Sequence, residues 1–190
     1  MNTTEIVGFR REEVGTKSAK ALRADGNVPC VLYGGDEVIH FHAPMILFKD
    51  LFYTPNAYIV NLNIEGTEKR AVLKDSQFHP VSDVPLHADF LEIFDDKEVE
   101  VLVPVKLKGN SPGVIKGGQL QIVTEKLKVK AVPGDIPEFV MVDISSLELG
   151  KSLKVKHIEP GNYKILNNDN VSVASVIIPR ALKAAQSSEA

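Results

Sequence analysis

The sequence predicts a mainly β protein with short helices, arranged as two domains. Three observations carry that reading. Strand-length apolar runs recur with a period of two, most cleanly at Val99, Val101, Val103, Val105 and Leu107, with Glu98, Glu100, Lys106 and Lys108 on the opposite face. Helical composition is confined to short stretches near Lys17–Ala24 and after Pro44. A charged break, Asp95-Asp96-Lys97, interrupts the pattern midway, so residues 1–94 and 95–180 read as separate domains and 181–190 as a small, polar, flexible tail.

Taken in order, Glu5 to Arg11 has strand character, and Val14-Gly15-Thr16 is a loop with Thr16 as the expected helix cap. The helix from Lys17 to Ala24 should stop at Gly26. It carries Lys17, Lys20 and Arg23 three apart, along one stripe. Val28 to Tyr33 is an apolar strand whose Gly34-Gly35 ending signals a hairpin back through Glu37–His42. Pro44 is expected to open a helix to about Tyr53, with Ile46, Leu47, Leu51 and Phe52 against the core. Tyr58, Val60, Leu62 and Ile64 alternate with Ile59, Asn61 and Asn63, and Glu65-Gly66-Thr67 turns that strand back into Glu68–Gln77. Two X-Pro pairs, His79-Pro80 and Val84-Pro85, then force an extended, kinked path. Beyond it, His87, Asp89 and Leu91 share one side of a strand and Leu86, Ala88 and Phe90 the other.

In the second half Pro104 argues for an edge position or a bulge. Gly109 to Gly118 forms a glycine-rich connection. Strand-like pieces follow at Gln119–Val123, Lys126–Val132, Glu138–Val142, Leu153–His157, Tyr163–Leu166 and Val171–Ile178, a spacing typical of a sandwich or barrel.

Composition is that of a globular protein, 44% hydrophobic and 25% charged, and no apolar run reaches the roughly 18 residues of a membrane helix. The N-terminus lacks the basic and apolar regions of a secretory signal. Cys30 is the single cysteine and sits in an apolar run, which suits a buried, inert thiol in a reducing cytosol. Net charge is −3; residues 1–94 hold 9 Lys/Arg against 13 Asp/Glu, and residues 95–190 hold 13 against 12. Neither half is a bulk basic nucleic-acid binder. Between Gly8 and Arg23, however, Arg10, Arg11, Lys17, Lys20 and Arg23 face only Glu12 and Glu13.

The segment GNSPGVIKGG lacks both the P-loop ending and the dinucleotide glycine pattern, so it reads as a tight β connection. His40 and His42 share a strand face but have no third metal ligand nearby in sequence, and His157 reads as a surface histidine. His79, Asp83, His87 and Asp89 are the strongest catalytic or metal candidates; a metal-dependent enzyme using His79, His87 and Asp89 is the alternative reading. No Ser or Cys lies in a nucleophile elbow. The other reading joins the basic helix to the 74–93 stretch as an RNA-binding face. There His and Asp can meet base edges and ribose hydroxyls while Lys and Arg neutralise phosphates.

Two spaced motifs extend that second reading. The first runs Gly15-Thr16-Lys17-Ser18-Ala19-Lys20-Ala21-Leu22-Arg23 and then Gly26-Asn27-Val28-Pro29-Cys30-Val31-Leu32-Tyr33-Gly34-Gly35. The second runs Asp75-Ser76-Gln77-Phe78-His79-Pro80, followed by His87-Ala88-Asp89-Phe90. With these, the chain resembles the bacterial 5S-rRNA-binding large-subunit ribosomal protein family L twenty-five, in its long two-domain form, the general stress protein CTC type. Pro112-Gly113, Gly117-Gly118, Asp135-Ile136-Pro137-Glu138, Val142-Asp143-Ile144-Ser145 and Leu149-Gly150 extend the likeness through the second half. The resemblance implies an N-terminal RNA-binding β-barrel with helices and a C-terminal β-rich domain. It implies no catalysis and no cofactor, and a ribosome-associated place in the cytoplasm. Its implied partners are 5S rRNA, bound on the minor-groove side of loop E, and neighbouring large-subunit components. The implied RNA contacts are Arg11, Lys17, Lys20, Arg23, Tyr33, Lys74, His87 and Asp89, with Lys17 standing in for a cation that the family often carries at the position of Thr16. Ala19 and Ala21 likewise replace a common Ser and Arg. Gln77 and His79 either touch RNA or brace the loop.

Overall fold

The computed structural model describes residues 2–159 and 161–179, which leaves the 181–190 tail outside the described residues. The chain divides into two compact units. One comprises residues up to Val101 together with Val132–Glu138; the other comprises Leu102–Ala131 and residues from Phe139 onward.

In the first unit six strands close into a barrel: β1 (Asn2–Arg10), β2 (Asn27–Tyr33), β3 (Ile39–Pro44), β4 (Tyr58–Ile64), β5 (Thr67–Phe78) and β6 (Pro85–Glu92), in the order β1-β3-β2-β6-β5-β4. The parallel β1–β4 ladder completes the ring, so no strand of it is left with an open edge. Period-two alternation fills the interior: Ile6, Val28, Cys30, Leu32, Val60, Leu62 and Phe90 are fully or almost fully buried. Phe90 sits between Phe41 and Phe48, at ring-centroid distances of 5.8 and 6.3 Å, and Phe48 stacks on Phe52.

Helix α1 (Thr16–Ala24) links β1 to β2. Thr16 is its first residue and not its cap: Gly15 occupies the cap position at φ 152°, where a Cβ is unfavourable, and no side chain caps the helix. Gly26, at φ 75°, lies just past the end as expected.

The single helix expected after Pro44 is also corrected. Pro44 is the last residue of β3, followed by a 3-10 turn, Met45–Phe48, and a short helix α2, Lys49–Phe52. The Met45 N–H still donates to Gly26 O, 3.0 Å away, so the ladder holds the chain one residue beyond proline. The tighter turn aligns residues three apart. Phe48 and Leu51 therefore point inward, while Ile46 is 74% exposed and Leu47 is also exposed.

The second unit holds a four-stranded sheet, β10-β7-β9-β12, and a three-stranded sheet, β11-β13-β8. Their strands are β7 (Val99–Lys108, which begins in the first unit), β8 (Gln119–Ile122), β9 (Lys126–Ala131), β10 (Val140–Asp143), β11 (Ser152–Lys154), β12 (Lys164–Ile165) and β13 (Ser172–Ile177). β7 lies inside its sheet, not at the edge. Pro104 is tolerated because the ladder with β10 begins one residue later, at Val105. The glycine-rich connection contains a short helix, α3 (Pro112–Ile115). Ser111 caps it by accepting from Gly113 N at 3.1 Å, and its hydroxyl donates to Leu147 O.

Truncating Phe90 to Ala should remove about 3–5 kcal/mol of stability, whereas Val81→Ala, at a site 87% exposed, should cost under about 0.5 kcal/mol; urea unfolding of the two variants reads the contrast. Burial pushes the Cys30 thiol far above its usual range. A thiol reagent should therefore leave the folded protein unmodified at pH 8 and titrate one thiol once it is unfolded.

Candidate nucleic-acid interface

β6 lies between β2, its parallel neighbour, and β5, its antiparallel one. Ala88 and Phe90 are fully buried inside the barrel, so the alternation turns His87, Asp89 and Leu91 outward. In the ladders Asp89 stands beside Val31 on β2 and Asp75 on β5, His87 stands beside Gln77, and Leu91 beside Tyr33. Tyr33, Asp89, Asp75, His87 and Gln77 thus form one polar strip across three strands.

His87 Nδ1 lies 2.6 Å from Asp89 Oδ1. At that separation Nδ1 carries the proton and donates, leaving Nε2 and Oδ2 as the atoms with which the pair can meet another molecule. The pair is only partly exposed, at 29% and 34% of each side chain, so it is held rather than swept by solvent. Partial burial, with Asp89 and Asp75 nearby, raises the Tyr33 hydroxyl above its ordinary range and keeps it a donor.

Helix α1 contributes in two ways. Lys17 and Lys20 are exposed. Arg23 turns toward β6 and is half-buried, its Nε donating to Leu86 O at 2.9 Å, one residue before His87. The three cations read as one stripe therefore separate into two solvent-facing ammoniums and one guanidinium that ties the helix to the strand.

Arg11 lies in the loop leading into α1. Its peptide N–H donates to His40 O at 2.8 Å, and Nη2 reaches Glu13 O and Ser18 Oγ at 3.4 and 3.5 Å. Its Nε is buried without a hydrogen-bond partner, as is His42 Nδ1. Lys74 sits at an irregularity in the β5–β6 register, and its ammonium lies 3.4 Å from Glu100 O and 3.9 Å from the Glu100 carboxylate. Arg11 and Lys74 are thus engaged with their own chain.

The catalytic constellation does not assemble. His79 Nδ1 accepts from the N–H groups of Val81 and Ser82, each at 3.3 Å, and Asp83 sits in the same turn at φ 52°. His79 therefore braces the 79–84 loop, which Tyr53 fastens by donating to Asp83 O at 3.0 Å. Asp75 is the strip residue that sequence reasoning passed over. Its register with Asp89 exists only once β5 and β6 pair, and the alternation of β5 was the available signal.

The family described as Ribosomal L25p matches residues 6–90, and the one described as Ribosomal protein TL5, C-terminal domain, matches residues 98–180. A relative from Cytophaga hutchinsonii, named large ribosomal subunit protein bL25, is 50% identical over 183 residues, covering 96% of this chain and 95% of its own. Relatives of the same name from Amoebophilus asiaticus and Phocaeicola vulgatus are 49% and 43% identical, with coverage of 97% of this chain and 94% and 97% of their own. The class so defined is that of structural, non-enzymatic ribosomal proteins, which work in the bacterial cytoplasm in association with the ribosome. The chain belongs to the Ribosomal L25p family, in the long form that carries a TL5-type C-terminal domain. That membership overturns the alternative of a metal-dependent enzyme built on His79, His87 and Asp89.

Burial first, and the Arg11 guanidinium second, hold His42 below its ordinary imidazole range. In Arg11→Ala the second cause goes and the first remains. The His42 midpoint, followed by NMR titration, should move upward while staying short of about 6.5. An unchanged midpoint would show that the guanidinium does not act on this ring.

Proposed function

We propose that this protein is a component of the large ribosomal subunit that binds 5S rRNA in its loop E region. In this reading residues 1–94 are the RNA-binding domain and residues 95–180 the second domain. The observation that carries the proposal is the His87–Asp89 pair on the barrel exterior, beside a basic helix pinned to the same strand by Arg23. A carboxylate oxygen and an imidazole nitrogen suit the minor-groove side of an irregular RNA helix. The guanine amino group is the distinctive base donor there, and 2′-hydroxyls both donate and accept. Tyr33 adds a phenolic donor at the same strip. Lys17 and Lys20 lie where exposed ammoniums can meet phosphates flanking the site.

The roles within the site follow from these positions. Lys17 and Lys20 act through charge. His87 and Asp89 act through shape and hydrogen bonding. Arg23 positions the helix through Nε and keeps its two terminal nitrogens for phosphate. Arg11 and Lys74, engaged within the protein, contribute charge at the rim. Family membership supports the ribosomal setting, and the names of the relatives support the large subunit.

Gel-shift titration of the full-length protein against 5S rRNA and a version lacking loop E tests the reading. A shift with the intact RNA and a large loss without loop E are expected; no shift with intact RNA at moderate salt would overturn the proposal. Lys20→Ala should lower the log–log salt slope by about 0.7–0.9. His87→Ala should instead reduce the preference for loop E over a regular duplex. Equal weakening on both RNAs would remove His87 from a selective role.

A further inference from the structure

The two compact units differ in charge. The first contains 10 Lys/Arg and 19 Asp/Glu, whereas the described residues of the second, 102–131 and 139–179, contain 10 lysines, no arginine and 5 acids. Net charge alone therefore draws a polyanion to the second unit. That unit also holds a polar cleft of about 570 Å³, a volume within the range of small-molecule sites.

Two neighbouring turns build the cleft. One follows β10 and is closed by the Leu147 N–H, which donates to Ile144 O at 3.0 Å. The other is β11 with the 3-10 turn Val155–His157 after it. Leu147 and Leu153 are buried, while Ser145, Ser146 and Ser152 beside them are exposed. Asp143, Lys151 and His157 join these serines in the lining. Asp143 Oδ1 accepts from the Ser145 N–H at 2.8 Å. Hydrogen bonds from the Ser145 hydroxyl and amide, and after them the charge of Lys108, hold the Asp143 carboxyl below its usual range. A Cβ at Gly109 would collide with Ser145 Oγ, so the glycine leaves room for this pair. A carboxylate has about four acceptor sites, and Asp143 keeps part of that capacity for a ligand. His157 Nδ1 accepts from the Lys154 N–H at 3.3 Å, which leaves Nε2 to carry the proton and donate. The Lys151 ammonium lies 2.7 Å from the Glu148 carboxylate; both side chains are exposed, so this is a weak surface pair with ammonium protons to spare.

A bare phosphate in this cleft would meet the Asp143 charge, and a neutral sugar would leave Lys151 and His157 without an anion. A ligand that carries both a hydroxyl and a phosphate uses all of these groups. We infer that the cleft seats one unpaired nucleotide of RNA, whose 2′-hydroxyl donates to Asp143 and whose phosphate accepts from Lys151, His157 and the serine hydroxyls. A carboxylate is a fitting acceptor for a ribose 2′-hydroxyl, and that hydroxyl is the group by which a protein tells RNA from DNA. No aromatic or amide side chain lines the cleft, so the base itself goes unread. RNA is favoured over other phosphorylated ligands because the chain belongs to a ribosomal family. The inference rests on that membership and not on the loop E reading.

The test titrates full-length protein with single-stranded oligouridylate and follows its backbone amides by NMR. Amides of residues 143–147 and 151–157 should shift. The oligodeoxyuridylate of equal length should act there about tenfold more weakly, the effect of losing one hydrogen bond to a charged group. Asp143→Asn keeps a carbonyl oxygen for the Ser145 N–H; it should narrow the gap between the two oligomers and leave the deoxy affinity unchanged. Lys151→Ala should weaken both oligomers alike. An unaltered amide spectrum outside the cleft reports that each variant is folded. The inference is overturned by the absence of shifts at these residues, by equal affinity for the two oligomers, or by a gap that Asp143→Asn leaves intact. Inorganic phosphate that reproduces the shifts and displaces the oligouridylate overturns it as well, by reducing the cleft to an anion site. Failure of the 5S rRNA reading would show instead in the loop E gel shift, an independent measurement.

Discussion

Closing six strands into one barrel leaves β6 no freedom of register, and that constraint fixes the polar strip. β6 is held on one side by a parallel ladder to β2 and on the other by an antiparallel ladder to β5. Its inward positions, Ala88 and Phe90, are fully buried, and Phe90 packs against Phe41 and Phe48. A slip of one residue would send His87 and Asp89 into the core and Phe90 to the surface, which burial forbids. The outward 2.6 Å pair is therefore a consequence of core packing. Arg23 extends the same logic to α1. The helix has no buried residue of its own, and bonding the Leu86 carbonyl anchors it to the strand that presents His87.

The parts of this arrangement legible in the sequence are those governed by a single local period. The outward grouping of His87, Asp89 and Leu91 could be read from alternation, as could the strands from Tyr58 to Ile64 and from Val99 to Leu107. What escaped depended on partners distant in the chain. Pro44 looks like a helix start until the ladder with Asn27 is known, and Ile46 looks like core until the tighter turn rotates it out. Pro104 looks like an edge residue until β7 proves to have neighbours on both sides, one of which begins only at Val105. In the site, Lys17, Lys20 and Arg23 share a spacing but not an environment, because only Arg23 has a carbonyl within reach.

Charge escaped for a related reason. Counting along the chain assumes that each half keeps its own residues, yet Val132–Glu138 belongs to the unit built mostly from the N-terminal half. Reassigning a few acids turns one near-neutral half into a lysine-rich unit and leaves the barrel unit strongly acidic. Along β9 the lysines alternate with the buried Leu127 and Val129, and the ladder with β12 sets Lys164 opposite Lys130.

The RNA binding proposed for the acidic barrel raises an electrostatic problem that the placement of its charges resolves. At physiological salt, charges more than about 8 Å apart are largely screened, so the carboxylates on far faces of the barrel do little to repel a phosphate held near Lys17 and Lys20. Near the strip, however, Asp75 and Asp89 are too close to be screened, and a regular backbone laid across them would be repelled. In the proposed reading the strip therefore favours an RNA whose donors, not its phosphates, face the protein. That preference is geometric, and its affinity comes from few contacts. In the proposed reading selectivity stays with His87 and Asp89, while Lys17 and Lys20 supply the hold on phosphate.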